Sequence, residues 1–81
     1  MNSAEIRYGR AFAGSAMVEG WFDNHCYIRI YEGRIQSVSM LPMDFERAKI
    51  VSQLYQDVIS EYERLIEEEN KKYAYLNGEI L

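Results

Sequence analysis

Eighty-one residues make one small domain, residues 1–81, near the lower size at which a single hydrophobic core holds without disulfides or metals. A 48% hydrophobic and 14% aromatic content excludes a disordered chain, and the lone cysteine, Cys26, excludes an internal disulfide framework. No apolar run is long enough to span a membrane and no secretory h-region opens the chain, so a cytoplasmic location is expected.

The net charge of −4 is unevenly placed. Residues 1–41 balance Arg7, Arg10, Arg29 and Arg34 against Glu5, Glu19, Asp23 and Glu32. Residues 42–81 hold the other five of nine bases and nine of thirteen acids, which accounts for the whole imbalance. An acidic chain is poorly suited to general duplex binding, where phosphate attraction supplies most of the non-specific affinity.

The opening stretch, residues 1–15, reads least clearly. Ser3 can cap a short helix through Arg7 or Tyr8 that stops at Gly9, or Arg10-Ala11-Phe12-Ala13 can begin a strand. A mobile arm is the third reading, since Gly9, Gly14 and the alanines offer little packing bulk. Residues 16–41 then read as a three-stranded antiparallel meander. Cys26-Tyr27-Ile28-Arg29-Ile30-Tyr31 alternates strictly, which puts Cys26, Ile28 and Ile30 on one face and Tyr27, Arg29 and Tyr31 on the other. Glu32-Gly33 is a two-residue turn that sets Ile30 opposite Ile35.

Upstream, Met17 to Phe22 reads as a strand followed by a three-residue loop, Asp23-Asn24-His25. That loop sets Phe22 opposite Cys26 and brings Val18, Gly20 and Phe22 onto the Ile28/Ile30 face. A two-residue loop would bring Trp21 there instead.

Leu41-Pro42-Met43 ends the sheet, because proline lacks the N–H a ladder needs. From Asp44, a capping residue, residues 44–77 read as one long amphipathic helix. Ala48, Val51, Tyr55, Val58, Tyr62 and Leu65 step by three or four, and Ile50, Leu54, Ile59 and Ile66 widen the stripe. Glu67 with Lys71 and Glu68 with Lys72 are (i, i+4) pairs, and Asn77-Gly78 is a stop signal. The expected fold class is therefore α+β, a short antiparallel three-stranded β-meander followed by one long C-terminal amphipathic α-helix.

A helix of about 33 residues is about 50 Å long, whereas a six-residue strand spans about 20 Å. The first half of the stripe, Ala48 to Ile59, suffices to cover such a sheet. Tyr62, Leu65, Ile66, Tyr73 and Leu76 are left over, and exposing each large aliphatic side chain forfeits about 1.5–3 kcal/mol. Those five residues are the expected interface of a homo-oligomer, most simply a two-fold dimer.

Candidate chemistry is sparse. His25 and Cys26, with Asp23 nearby, are adjacent strand residues that point to opposite faces, and neither a metal site nor a cofactor is expected. The acidic run Glu67-Glu68-Glu69, preceded by Glu61 and Glu63, is a solvated helix face or a strip for a basic partner. The outer sheet face carries Glu19, Trp21, Tyr27, Arg29, Tyr31, Arg34, Gln36 and Val38. Trp, Tyr and Arg are the types enriched at binding hot spots, so Trp21, Tyr27, Arg29, Tyr31 and Arg34 are the expected partner-binding residues.

The expected function is that of a small non-enzymatic protein that binds another protein, as an inhibitor or adaptor. In type it resembles the small acidic phage-encoded inhibitors of host machinery, anti-defence proteins included, which implies a viral protein. The alternative is a nucleic-acid-binding or regulatory protein that uses the same Trp/Tyr/Arg face with Arg7 and Arg10.

Overall fold

A computed structural model of the chain describes residues 4–37 and 44–76, the side chains at 13, 37 and 72–76 excepted. The fold is α+β. Strands β1 (Ala4–Arg10), β2 (Ala16–Phe22), β3 (His25–Tyr31) and β4 (Arg34–Ser37) form one antiparallel sheet in the order β1-β2-β3-β4, and helix α1 (Phe45–Leu76) follows. Ser3, Val38, the Leu41-Pro42-Met43 break and the Asn77-Gly78 stop lie outside the described residues.

The sheet has four strands where three were expected, because the opening segment is neither a helix nor a mobile arm. Its stretch Ala4–Arg10 pairs with all of β2, from Ala4 opposite Phe22 to Arg10 opposite Ala16. A tight connection joins the two strands. The Ala11 N–H donates to the Ser15 carbonyl at 2.8 Å, and Phe12–Gly14 forms one 3-10 turn between them.

The β2–β3 connection is also a correction. It is a two-residue turn, Asp23-Asn24, with both residues at positive φ (55° and 62°), the geometry that matches the twist of paired strands. Phe22 therefore faces His25, and Trp21 faces Cys26. The register then shifts, so that Gly20 faces Ile28 and Tyr27 is the extra residue of a β-bulge. The bulge restores Val18, Gly20 and Phe22 to the Ile28/Ile30 face, the result that a three-residue loop was expected to give. The Glu32-Gly33 turn sets Ile30 opposite Ile35 as expected, again with positive φ at both positions.

Helix α1 starts at Asp44, whose carboxylate accepts the Arg47 N–H at 2.8 Å and so satisfies one of the free donors of the first turn. It lies along β2 and runs the opposite way. Arg47 reaches Asp23 at the end of β2, and Leu65 sits near Ala16 at its start. Val51, Leu54 and Val58 close the core against Val18, Phe22, Tyr27, Ile28 and Ile30, with Ile6, Tyr55, Ile59, Tyr62 and Leu65 packed around it. Ile50, placed on the stripe by its spacing, is 40% exposed.

The helix approaches β2 most closely at Gly20. A Cβ on Gly20 would stand 2.7 Å from Val58 Cγ2, 2.8 Å from Leu54 Cγ and 2.9 Å from Ile28 Cγ2, all in the best-packed part of the core. Gly20→Ala must therefore push the helix off the sheet. The expected loss is about 1–3 kcal/mol of unfolding free energy, by denaturant titration, against less than 0.5 kcal/mol for an exposed change such as Gln56→Ala. An unchanged midpoint for Gly20→Ala would contradict this packing.

Candidate functional site

Alternation along the strands sorts the polar residues onto the face away from the helix. Glu5 and Arg7 of β1 stand opposite Trp21 and Glu19 of β2, Glu19 stands opposite Arg29 of β3, and Tyr31 and Arg29 stand opposite Arg34 and Gln36 of β4. Trp21, Arg29, Tyr31 and Arg34 thus share one face, as expected. No other element of the described chain covers it.

Tyr27 does not belong there. As the extra residue of the bulge it turns under the helix, 1% exposed, and its place on the outer face passes to Cys26. On the helix side the Tyr27 hydroxyl lies 3.5 Å from Arg47 Nη1, and its backbone carbonyl accepts the Tyr55 hydroxyl at 3.1 Å. His25 makes an edge contact with the Tyr27 ring, at 6.3 Å between centroids. Cys26 points the other way, so the two do not converge. No group of potential ligands sits close enough to hold a metal among the described residues.

Glu19 organises the outer face. Its carboxylate accepts the Arg29 Nε at 2.7 Å and the Trp21 Nε1 at 3.1 Å, and its side chain is only 14% exposed. The Arg7 guanidinium carbon sits over the Trp21 ring, 3.9 Å from its centroid, and Arg7 pairs with Glu5 at 3.0 Å. The hydrogen bond that Arg29 donates to Glu19 holds its guanidinium even further above neutrality than usual, and Arg7 holds the Glu5 carboxyl below the ordinary range. Burial, with Glu19 adding to it, pushes the Cys26 thiol up. The face is thus a cluster of aromatic and guanidinium groups pinned by one half-buried carboxylate. Its Cys26 thiol is held toward the neutral, less nucleophilic form.

The second expected interface divides. Tyr62 and Leu65 belong to the chain's own packing, since the Tyr62 hydroxyl accepts the Gly33 N–H at 2.9 Å and Leu65 packs on the core. Ile66 is half-buried, and Tyr73 and Leu76 are described only as helical backbone. The sheet therefore uses more of the stripe than its first half. Past Glu69 the helix overruns it, in a molecule 54 Å long and 22 × 21 Å across.

The acidic strip is largely paired within the chain. Glu61 takes the Arg64 guanidinium at 2.7 Å and the Tyr8 hydroxyl at 2.7 Å, which draws its carboxyl down to about 2. Glu67 pairs with Lys71 as expected, while Glu68 pairs with Arg64.

Spacing in the sequence missed Glu5, Arg7 and Cys26 as members of the outer face. The signal for the first two was present, because Glu5 and Arg7 alternate with Ile6 and Tyr8. Comparison with protein-family models, with curated proteins and with solved structures finds no match for this chain.

Removing the pinning carboxylate should loosen the whole face. Glu19→Ala is expected to lower stability by about 1–2 kcal/mol, through a lost charge-assisted hydrogen bond. It should also speed the reaction of Cys26 with a disulfide reagent in the folded state and shift Trp21 emission. A variant with unaltered thiol kinetics and emission would show that Glu19 does not organise these groups.

Proposed function

We propose that this chain is a small non-enzymatic protein that acts by binding another protein, as an inhibitor or adaptor, through the outer face of its sheet. The observation that carries this reading is the pinned cluster of Trp21, Arg7 and Arg29 on a face that no other described element covers, with Tyr31 and Arg34 beside it. Aromatic and arginine side chains held in advance lose little rotamer freedom on binding, which favours them as the centre of an interface. Tyr27 is withdrawn from the set, and Arg7 takes its place.

The nucleic-acid alternative fits the same face less well. A base stacks on an open ring face, and Arg7 already covers one face of Trp21. Phosphate attraction is also weak there. Arg7 and Arg29 are paired with Glu5 and Glu19, which leaves Arg34 as the one arginine of this face without an ion pair among the described residues.

The test is capture with the full chain from cells of its source, followed by quantitative mass spectrometry, in parallel with Trp21→Ala. A hot-spot loss of about 2 kcal/mol corresponds to about 30-fold weaker binding, so a specific partner should be depleted from the Trp21→Ala sample. Retention of the same partner by both proteins would remove the sheet face from consideration. Salt-dependent oligonucleotide binding that disappears in Arg29→Ala and Arg34→Ala would support the nucleic-acid reading instead.

A further inference from the structure

Strand β1 has one partner and one free edge. All seven of its residues pair with β2 without a bulge, and six of the seven are exposed. Among the described residues its other row of N–H and C=O groups is unpaired, which is the template that natural edge strands blunt with proline, charged side chains (lysine above all), a bulge or a covering element. Ala4–Arg10 contains no proline, no lysine and no bulge, its charges are Glu5, Arg7 and Arg10, and among the described residues nothing lies along its free side. Four residues of the opposite edge strand, β4, are described.

The charge pattern identifies what fits this edge. Glu5 and Arg7 lie two residues apart on the outer face, with Ile6 between them on the helix face. In an antiparallel pair of identical strands the register is fixed by the residue that sits on the two-fold axis. With Ile6 on the axis, Glu5 falls opposite Arg7 twice, Ile6 opposite Ile6, and Ala4 opposite Tyr8. With Arg7 on the axis, two arginines face each other, and with Glu5 there, two glutamates do. Directly opposed side chains stand about 4.5–5.5 Å apart at Cβ, where opposite charges attract and like charges repel.

We propose that β1 is the seam of a homodimer, pairing with β1 of a second copy about a two-fold axis at Ile6. The axis is normal to the sheet, so two four-stranded sheets join into one of eight with both helices on the same side. The helices fit. Each lies along its own β2, and the two β2 strands are three spacings, about 14 Å, apart. Packed helices need only about 8–10 Å, which leaves a slot for Ile6 and for the Tyr8 ring, 58% exposed in the single chain. The overrunning ends of the two helices point in opposite directions and stay out of the seam. Both outer faces lie on one side of the joined sheet and remain open. Arg7 belongs to the seam and to the proposed binding face. The seam is read by assembly mass and the face by partner capture with Trp21→Ala, so each can fail without the other.

Sedimentation equilibrium of the full chain across the micromolar range tests the seam. The expected species has twice the 9.6 kDa chain mass. Glu5→Arg alone and Arg7→Glu alone should each sediment as a 9.6 kDa monomer, because each places like charges at both paired positions. Their equimolar mixture should recover the doubled mass, since only the mixed pair has opposite charges at both. The mixture restores no Glu5–Arg7 pair within either chain, so recovery reports contact between chains.

Amide exchange of the wild-type chain gives a readout that needs no variant. Protection along β1, and not along β4, should rise with protein concentration. A wild-type monomer throughout, a dimer kept by both single variants, a dimer lost only in Ile66→Asp, or β1 exchange independent of concentration would each overturn the proposal.

Discussion

The extra residue in β3 decides what each face of the sheet carries. Without the bulge, the two-residue Asp23-Asn24 turn would run its register up both strands and bring Trp21 onto the face with Ile28. With it, Tyr27 drops beneath the helix and Cys26 moves to the outer face, while Gly20 comes opposite Ile28. A side chain at Gly20 would collide with Val58, Leu54 and Ile28 at once. The bulge and the glycine therefore act together, one setting the register and the other letting the helix close on it.

From that arrangement the two sides of the molecule take different tasks. The helix side is a dry core closed at its rim by hydroxyls, with Tyr55 on the Tyr27 carbonyl, Tyr62 on the Gly33 N–H and Tyr8 on Glu61. Tyrosine suits a rim because its ring packs inward while its hydroxyl bonds at the edge. The outer side keeps its aromatic and guanidinium groups apart from that core, ordered by Glu19 and not by burial alone. A face that is ordered yet uncovered among the described residues is what the binding reading rests on.

Periodicity made part of this legible. The helix and its Asp44 cap, the Glu32-Gly33 turn and the Trp21/Arg29/Tyr31/Arg34 face follow from apolar spacing and turn chemistry. The bulge was not legible, because a strict alternation from Cys26 to Tyr31 hides one inserted residue. Both Cys26 and Tyr27 can be buried, so hydrophobicity alone does not say which faces the helix. The opening strand was hidden for a different reason. Ala4, Ile6 and Tyr8 do alternate with Glu5, Arg7 and Gly9, but the alanines and glycines supply few of the β-branched residues that mark a strand. That misreading carried forward, since a sheet lacking β1 leaves more of the helix uncovered than the chain does.

The central claim is that the bulge sends Tyr27 inward and Cys26 outward, because every assignment to the outer face depends on it. Nuclear Overhauser contacts of the Tyr27 ring test it most directly. The account predicts contacts from that ring to side-chain protons of Arg47 and to protons of the helix, with Cys26 β-protons close to Trp21. Contacts from the Tyr27 ring to Trp21 or Arg29, with Cys26 facing the helix, would contradict it.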